Sequence, residues 1–229
     1  MTKKTLIISL GGSLVFPGED IDIQYLKKFR QFVISLIRKK YRLVIIVGGG
    51  RINNKYNQAA KKVAKVKPVD LDWLGIKVAN TNSELVRVVL ADYVYPEVIR
   101  DPFTKIKTTK PVIIGTAFKP GSSTDLRAVQ FALNLKAKTV INLTDVDFVY
   151  DKDPGKYQNA KPITQIAWSR YKKMFGSKWT PRLSAPFDPI ATKLAWQKGI
   201  EVVILNGKKL QNIERYLENK EYKGTIIKK

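Results

Sequence analysis

Two glycine-rich segments, each following a mostly apolar run, are the positions in this sequence best suited to chemistry. Gly48, Gly49 and Gly50 follow the run 44–47, and the pair at 11–12 follows the run 5–10. Glycine lacks a Cβ, so backbone N–H groups in such turns can contact a phosphate directly. Two such turns at the carboxyl ends of neighbouring parallel strands would lie side by side, where open α/β folds bind ligands. We therefore favour phosphate binding, with a ligand-free strand-to-helix turn as the alternative.

The spacing of these glycines disfavours two common nucleotide-binding motifs. The glycines are contiguous, unlike those of GxGxxG, and no Lys-Ser/Thr pair follows at the offset that GxxxxGK[ST] requires. An ordinary dinucleotide-binding dehydrogenase or a P-loop kinase is therefore not expected.

The chain contains neither histidine nor cysteine. This composition excludes a histidine general base, metal ligation by histidine or thiolate, and disulfide bonds. Chemistry must therefore rest on lysine, arginine, carboxylates, hydroxyls and the backbone. The lack of cysteine also suits a cytoplasmic enzyme.

A third loop of the same kind is GTAFKPGSSTD, residues 115–125. Ser122, Ser123 and Thr124 offer hydroxyl and N–H groups at an expected helix start, which is a suitable place for a phosphate. Helix capping by one hydroxyl, after a Pro-Gly turn, is the simpler alternative. Because this is the third such loop, we favour the ligand.

Carboxylates gather after the strand at 139–143, in the segment NLTDVDFVYDKDP. They could hydrogen-bond a ribose or a base, but on composition alone turn formation is narrowly favoured. Asp188 precedes Pro189 at another expected helix start, where capping is the simple explanation. The functional alternative is that Asp188 and Lys193, about one turn further on, both face phosphates.

Hydrophobic periodicity predicts the elements that must position these residues. An amphipathic helix is expected from Ile23 to Ile37. The remaining expected helices are 52–66, 72–90, 125–136, 189–198 and 208–218, and the remaining strands are 43–47, 112–115, 139–143, 201–205 and 225–227. This alternation predicts an α/β fold with helices on both faces of a parallel sheet. Residues 151–186 are expected to mix a hairpin with an excursion between lobes.

Length and charge limit the remaining possibilities. The 229 residues suffice for one α/β core or two closely joined lobes, and no apolar run approaches the ~20 residues of a membrane span. The N-terminus is interpreted as a strand and not as a signal peptide. A net charge of +23 favours encounters with anions. Specific nucleic-acid binding is not expected, because no RGG tract, basic heptad or aromatic RNP-like strand is present.

Seven segments, taken in order, resemble the amino-acid kinase superfamily, and within it the UMP kinases of the archaeal type. They are GGS at 11–13, GGGR at 48–51, DLDWLGI at 70–76, KPGSSTD at 119–125, TDVDFVYDKDP at 144–154, APFDPIATKLA at 185–195 and the terminal KGTII. The resemblance implies a three-layer α/β/α sandwich around an open, mainly parallel sheet. It implies one domain, 1–229, with an acceptor-binding lobe of about 1–136 and an ATP-binding lobe of about 137–229.

The resemblance also implies an activity and a set of site residues. The γ-phosphoryl of ATP, accompanied by Mg²⁺, would pass to UMP in a homo-oligomer that is usually a hexamer. The catalytic residues would be Arg51, Asp188 and Lys193. The ATP-binding residues would be Leu10, Gly11, Gly12, Ser13, Gly50, Thr144, Tyr150 and Asp153. The UMP-binding residues would be Gly49, Asp72, Thr116, Lys119, Pro120, Gly121, Ser122, Ser123 and Thr124. No metal site built from protein ligands alone is expected.

Three positions depart from the superfamily pattern. Ser9 stands where many members have a catalytic lysine, and Asn53-Asn54 stand where an arginine is often found. Phe148 replaces a usual glycine, which would reshape the adenine pocket. The positive charge must then come from elsewhere, and Arg51, Lys119 and Lys193 are the candidates.

Two kinds of alternative function remain open. Within the same superfamily, the chain could be an acetylglutamate, carbamate or isopentenyl phosphate kinase, although the last usually relies on a histidine. In a different class, it could be a catalytically weakened relative whose basic surface binds nucleic acid or a regulatory partner.

Overall fold

The fold is taken from a computed structural model, which describes residues 4–18, 20–121, 123–176 and 185–229. Helices and strands alternate along most of the chain. In chain order they are β1 (Thr5–Leu10), α1 (Gly12–Val15), α2 (Ile23–Arg38), β2 (Arg42–Val47), α3 (Gly50–Val63), α4 (Pro68–Val89), β3 (Val112–Gly115), α5 (Thr124–Asn134), β4 (Thr139–Thr144), β5 (Val149–Tyr150), β6 (Pro162–Ile163), β7 (Gln165–Ala167), α6 (Trp168–Phe175), α7 (Pro189–Lys198), β8 (Glu201–Asn206), α8 (Leu210–Leu217) and β9 (Thr225–Lys228).

One sheet runs through both halves of the chain, in the order β3-β2-β1-β4-β8-β9-β7. The first five strands are mutually parallel, whereas β9 runs antiparallel to β8 and pairs in parallel with β7. Strands β5 and β6 form a separate antiparallel hairpin. The expected mainly parallel sheet is confirmed.

Both faces of the sheet are covered, which gives the three layers that were expected. Ile8 faces a core that includes Phe29 of α2 and Ile213 of α8. Its neighbour Ile7 points the other way, into a core that includes Phe131 of α5 and Tyr171 of α6. Because alternate side chains of a strand enter different cores, the central strands are mostly apolar on both faces.

Helix α2 has the amphipathic character that its spacing predicts, and Leu26, Phe29 and Val33 are buried. The Asp22 side chain caps its first turn by accepting a hydrogen bond from the Tyr25 N–H at 2.8 Å. Ile23 was expected on the apolar face but is 61% exposed, and it is the first residue of the helix. That expectation was wrong.

Helices α3 and α4 differ most from their expected bounds. Helix α3 begins at Gly50, directly after the glycine turn, and ends at Val63, three residues early. Helix α4 begins four residues before the expected Asp72, because Pro68 occupies its first turn, where a missing N–H costs nothing. None of the residues of α3 is buried, and its main packing partner is α4.

None of the helices in the ranges described is both long enough and apolar enough to cross a membrane.

Candidate active site

The two glycine turns lie side by side at the carboxyl edge of the sheet. Strands β1 and β2 pair in register up to Leu10 and Val47, and the Gly48 N–H donates to the Leu10 carbonyl at 3.0 Å. A Cβ on Gly12 would lie 2.2 Å from the backbone nitrogen of Gly50, which itself has a φ of +69°. Only glycine permits this approach of two backbones. The adjacency expected from the sequence is confirmed.

Asn82 of α4 holds the glycine turn at 48–50 in place. Its Nδ2 donates to the carbonyls of Gly48 and Gly49, at 2.9 and 3.0 Å, and the residue is buried. With their carbonyls held, the turn residues lead directly into α3, whose first-turn N–H groups have no partner within the helix. These groups and the positive end of the helix dipole are suited to an anion.

Two cavities open at this edge and meet at Thr124, which lines both. The first, which we call the trough, has a volume of about 450 Å³ and lies between α3, α4 and the loop before α5. The second, which we call the strand-end cavity, has a volume of about 350 Å³. Its lining includes Ser9, Gly11, Ser13, Asp125, Thr144 and Asp145. Two compounds bound in these cavities would meet next to the glycine turns.

A larger groove of about 900 Å³ lies between α2, α8 and the residues before β9. In the part of the chain that the structure describes, it shares no lining residue with the trough or the strand-end cavity. Among the residues that the structure describes, its lining includes the start of α8 but no glycine turn. The smaller pair of cavities is therefore the better candidate for the active site.

A hydrogen-bonded network of two serines and two aspartates joins the strand-end cavity to α7. The Ser9 hydroxyl donates to Asp125 Oδ1 at 3.2 Å, and the Asp188 N–H donates to Asp125 Oδ2 at 3.2 Å. The Ser123 hydroxyl donates to Asp188 Oδ2 in a short hydrogen bond. Asp188 also caps α7, because its Oδ1 accepts from the N–H groups of Ile190 and Ala191. Asp188 lines neither cavity, so the expected capping is confirmed and its catalytic role stays a prediction.

Asp125 is the titrating group of this network. The pKa of its carboxyl is raised from 3.8 to about 7, mainly by burial and also by the nearby carboxylate of Asp188. The hydrogen bonds from the Asp188 N–H and the Ser9 hydroxyl oppose this rise. Around neutral pH, Asp125 is thus divided between its neutral and charged forms.

Arg51 is the cation that the structure brings to the rim of the strand-end cavity. Its Nη2 lies 3.9 Å from Oδ2 of Asp145, which lines that cavity. Among the described lining residues of the cavity there is no lysine or arginine. The expectation that Arg51 supplies charge here agrees with its position, although its role stays a prediction.

The residues expected to bind the acceptor largely surround the trough. Gly49, Asp72, Lys119, Pro120, Gly121, Ser123 and Thr124 line it. The Gly121 N–H donates to Asp72 Oδ2 at 3.1 Å, which ties the loop to α4. Thr116 is fully buried, and its hydroxyl donates to Asn80 Oδ1 at 2.7 Å. Ser122 lies outside the described residues.

The residues expected to bind ATP are more dispersed. Gly11, Ser13 and Thr144 line the strand-end cavity, whereas Leu10 is buried just below it at the end of β1. Gly12 and Gly50 form the contact between the two turns. Tyr150 lies in β5, and Asp153 follows it in an exposed turn, where its Oδ1 accepts from the Gly155 N–H at 2.9 Å. The exposed Lys193 on α7 lines neither cavity.

Sequence reasoning missed Asp125, Asn82 and the part of the trough wall that α3 provides. Asp125 had a signal, because it directly follows Thr124 at a helix start that was already interpreted as a ligand loop. Asn82 had none, because a single polar residue within a helix does not show what it faces. On α3, Asn53, Asn57 and Lys61 are spaced four residues apart, which places them on one helix face.

In the described ranges, no group of three or more acidic side chains surrounds a point that could hold a metal ion. Isolated carboxylates and hydroxyls do lie at the strand-end cavity, including Asp125, Asp145 and Ser13. This donor set fits Mg²⁺ that arrives on a triphosphate and keeps several of its own water and phosphate ligands.

Comparison with known proteins gives the family. The sequence profile of the amino acid kinase family matches residues 4–206. The chain belongs to the amino acid kinase family. Among similar proteins, the uridylate kinase of Staphylothermus marinus is 31% identical over 227 residues, which cover 98% of this chain and 99% of that protein. The uridylate kinase of Hyperthermus butylicus is 28% identical, with 99% of each chain covered.

Solved structures of this family have the same fold. The crystal structure of uridylate kinase from Archaeoglobus fulgidus superposes with a TM-score of 0.81 at 23% identity, covering 98% of this chain and 99% of that one. UMP kinase from Ureaplasma parvum gives a TM-score of 0.74 at 22% identity, with both chains fully covered. The expected amino-acid kinase fold is confirmed.

Proposed function

We propose that this protein is a cytoplasmic UMP kinase, which transfers the γ-phosphoryl group of ATP to UMP to give UDP and ADP. The observation that carries the proposal is the meeting of two cavities at Thr124, beside two glycine turns that touch each other. This is the arrangement that two nucleotides need in order to bring an acceptor phosphate and a γ-phosphate together. The similar proteins named above, which are uridylate kinases, support UMP as the acceptor.

The trough holds the acceptor in this proposal. Its phosphate lies at Gly49 and Thr124, next to the strand-end cavity, and its ribose lies at Asp72. Asp72 already accepts a hydrogen bond from the Gly121 N–H, and its second carboxylate oxygen is left to accept from a ribose hydroxyl. The loop that carries Gly121 then covers the acceptor, which excludes water from the phosphate that is to react.

The strand-end cavity holds the phosphates of ATP. The N–H groups that follow Gly11, at the start of α1, face the β- and γ-phosphates, and Thr144 lies on the side of the nucleoside. Oxygen donors of this cavity, such as those of Ser13 and Asp145, would help to hold the Mg²⁺ that accompanies the triphosphate, and the ion would supply positive charge to the phosphates. Phosphoryl transfer through a loose transition state then asks the protein mainly for alignment and for charge on the equatorial oxygens.

Arg51 and Lys193 supply that charge in this proposal, since Ser9 cannot. Arg51 needs only to turn from Asp145 towards the phosphate, because both side chains are well exposed. Asp188 caps α7 and thereby orients the helix that carries Lys193. Asp125 is adjacent to the reacting phosphates, and its neutral form avoids placing a second negative charge against them.

The division into lobes and the assembly belong to the same proposal. We place the acceptor site in a lobe of about residues 1–136 and the ATP site in a lobe of about 137–229, and we expect a homohexamer. Size-exclusion chromatography with light scattering on the purified protein measures the assembly directly, and a monomer would contradict the expected hexamer.

A coupled assay of ADP release tests the activity. Purified, folded protein with Mg²⁺ and ATP is given UMP, CMP, acetylglutamate, carbamate or isopentenyl phosphate in turn. We expect release of ADP that depends on UMP. If ADP release does not depend on UMP, the proposal is wrong. If another acceptor is turned over instead, the chain is a different kinase of the same family. No turnover of any acceptor, together with salt-dependent retention on RNA, would favour a weakened relative that binds nucleic acid.

A further inference from the structure

One wall of the trough is a row of three polar side chains from α3. Asn53, Asn57 and Lys61 are spaced four residues apart, and all three line the cavity. Four residues of helix rise about 6 Å, so the row extends about 12 Å along the trough from Asn53 to Lys61. Of these three positions, the resemblance concerns only Asn53, which lies where an arginine is often found.

The two asparagines are not satisfied by the protein. Oδ1 of Asn53 and Oδ1 of Asn57 are shielded from solvent and accept no hydrogen bond from the residues that the structure describes. An unpaired carboxamide beside a cavity is costly unless a ligand or water completes it. Lys61 is exposed and forms no ion pair within the described ranges. Its ammonium group can only donate hydrogen bonds.

The packing of α3 against α4 fixes where along the trough each side chain lies. Asn82 holds Gly48 and Gly49 at the end where the glycine turns lie. Gly75 lies against Asn53, since a Cβ on Gly75 would be 3.0 Å from Asn53 Nδ2. Asp72 is three residues nearer to the start of α4, about 4.5 Å further from the turns. The two helices run in opposite directions, so Asn57 and Lys61 lie at or beyond the level of Asp72.

Part of the remaining lining of the trough is apolar. Leu71, Ile76, Ala79 and Ala117 line the trough together with the polar row. A mainly apolar lining with a few polar groups is the usual composition of a site for a small ligand. With the phosphate at Gly49 and the ribose at Asp72, the base of the acceptor extends towards Asn57 and Lys61.

We propose that Asn57 and Lys61 recognise the edge of the acceptor base and select a pyrimidine that carries a carbonyl oxygen at position 4. This inference rests on the proposed function and deepens it. The ammonium group of Lys61 donates to a carbonyl oxygen, but it has no acceptor for the amino group that cytosine carries at that position. Asn57 can pair with either base, because its carboxamide presents a donor and an acceptor and can turn over. Lys61 therefore determines the preference for UMP over CMP.

The test compares Lys61→Met with Lys62→Met, a matched control on the next residue of α3, which does not line the trough. Values of kcat and KM are measured for UMP and for CMP, and the binding of each nucleotide without ATP is measured by calorimetry. A lost charge-assisted hydrogen bond raises a dissociation constant about tenfold or more. We expect Lys61→Met to raise the KM for UMP about tenfold, with the KM for CMP and both kcat values nearly unchanged. Lys62→Met should behave like the wild type.

A second variant, Asn57→Ala, tests whether the trough distinguishes uracil from cytosine only through Lys61. Asn57→Ala should raise the KM for UMP and the KM for CMP together, because its carboxamide pairs with both bases. Equal losses for UMP and CMP in Lys61→Met, or the same behaviour in Lys62→Met, would overturn the assignment of Lys61. If the wild type turns over UMP and Lys61→Met behaves like Lys62→Met, the assignment of Lys61 is wrong but the proposed function stands. If the wild type shows no turnover, the proposed function is wrong. In that case, a loss of UMP binding but not of CMP binding in Lys61→Met, measured by calorimetry, would still support the assignment of Lys61.

Discussion

Arg51 and Asp145 form an ion pair of 3.9 Å across the end of β1. Arg51 follows β2 and Asp145 follows β4, and β1 lies between these strands in the sheet. The guanidinium therefore spans the turn that contains Gly11 and Gly12. This pair places a positive charge at the rim of the strand-end cavity, on a side chain that is 61% exposed.

Replacement of Arg51 tests the source of the transition-state charge. We expect Arg51→Met to lower kcat by about a hundredfold or more, because an isolated cation at transferring phosphoryl oxygens contributes at least that much. Arg38→Met, at the exposed end of α2, is the matched control and should keep full activity. Steady-state kinetics with UMP and ATP measures both. Equal kcat values in the two variants would assign the charge elsewhere.

Replacement of Asp145 tests whether the ion pair itself matters. The side chains of Arg51 and Asp145 are 61% and 43% exposed, so we expect Asp145→Asn to change the free energy of unfolding by less than about 0.5 kcal/mol. Because Asp145 lines the strand-end cavity, loss of its charge should lower the KM for ATP. Urea denaturation and initial-rate kinetics measure these two effects. A higher KM would instead show that Asp145 helps to hold the donor.

The pKa of Asp125 predicts a pH dependence of stability. Its folded value of about 7 lies above the unfolded value of 3.8, so the folded state binds this proton more tightly. The free energy of unfolding contributed by Asp125 should thus be highest below about pH 4 and should fall as the pH rises to about 7. Asp125→Asn has no titrating group at this position, so its free energy of unfolding should lack this pH-dependent contribution. Urea midpoints of both proteins at pH 5 and pH 8 measure the difference, and parallel changes in the two proteins would contradict it.

Because the two glycine turns are in contact, adding a methyl group at Gly12 should strongly destabilise the folded protein. Gly12→Ala would place a Cβ 2.2 Å from the Gly50 nitrogen and 2.4 Å from the Gly48 carbonyl oxygen, and neither backbone atom can move freely. We expect a loss of about 3 kcal/mol or more in the free energy of unfolding. Gly18→Ala is the control, because a Cβ there would lie more than 4 Å from every non-adjacent residue that the structure describes. Similar urea midpoints for the two variants would show that the turns separate easily.

Lys193 tests the contribution of α7. We expect Lys193→Ala to lower kcat far more than it changes the binding of UMP, because its charge would be used only in the transition state. Lys198→Ala, near the end of the same helix, is the matched control. Kinetics at saturating ATP measures kcat and the KM for UMP. Equal loss in both quantities would assign Lys193 to binding alone.

The prediction from sequence was accurate where local physics decides. The apolar runs around Ile8 and Ile45 form central strands, and the period of Leu26, Phe29 and Val33 forms the apolar face of α2. The contiguous glycines at 48–50 end a strand and begin a helix, because few other residues allow so tight a turn. These features depend on residues that are neighbours in the sequence.

Tertiary structure alone decided which distant residues meet. Ser9 and Asp125 are 116 residues apart in the sequence and share a hydrogen bond. Burial of Asp125 in the folded protein raises the pKa of its carboxyl to about 7, although the hydrogen bond from Ser9 opposes this rise. Gly75 lets α4 pack closely against Asn53, which is the first residue of the α3 row that lines the trough. The sequence by itself determined the glycine turns, the strands and the kind of chemistry available. The packing of helices that are far apart in the chain decided which side chains line the two cavities, because burial and long-range contacts leave no local pattern.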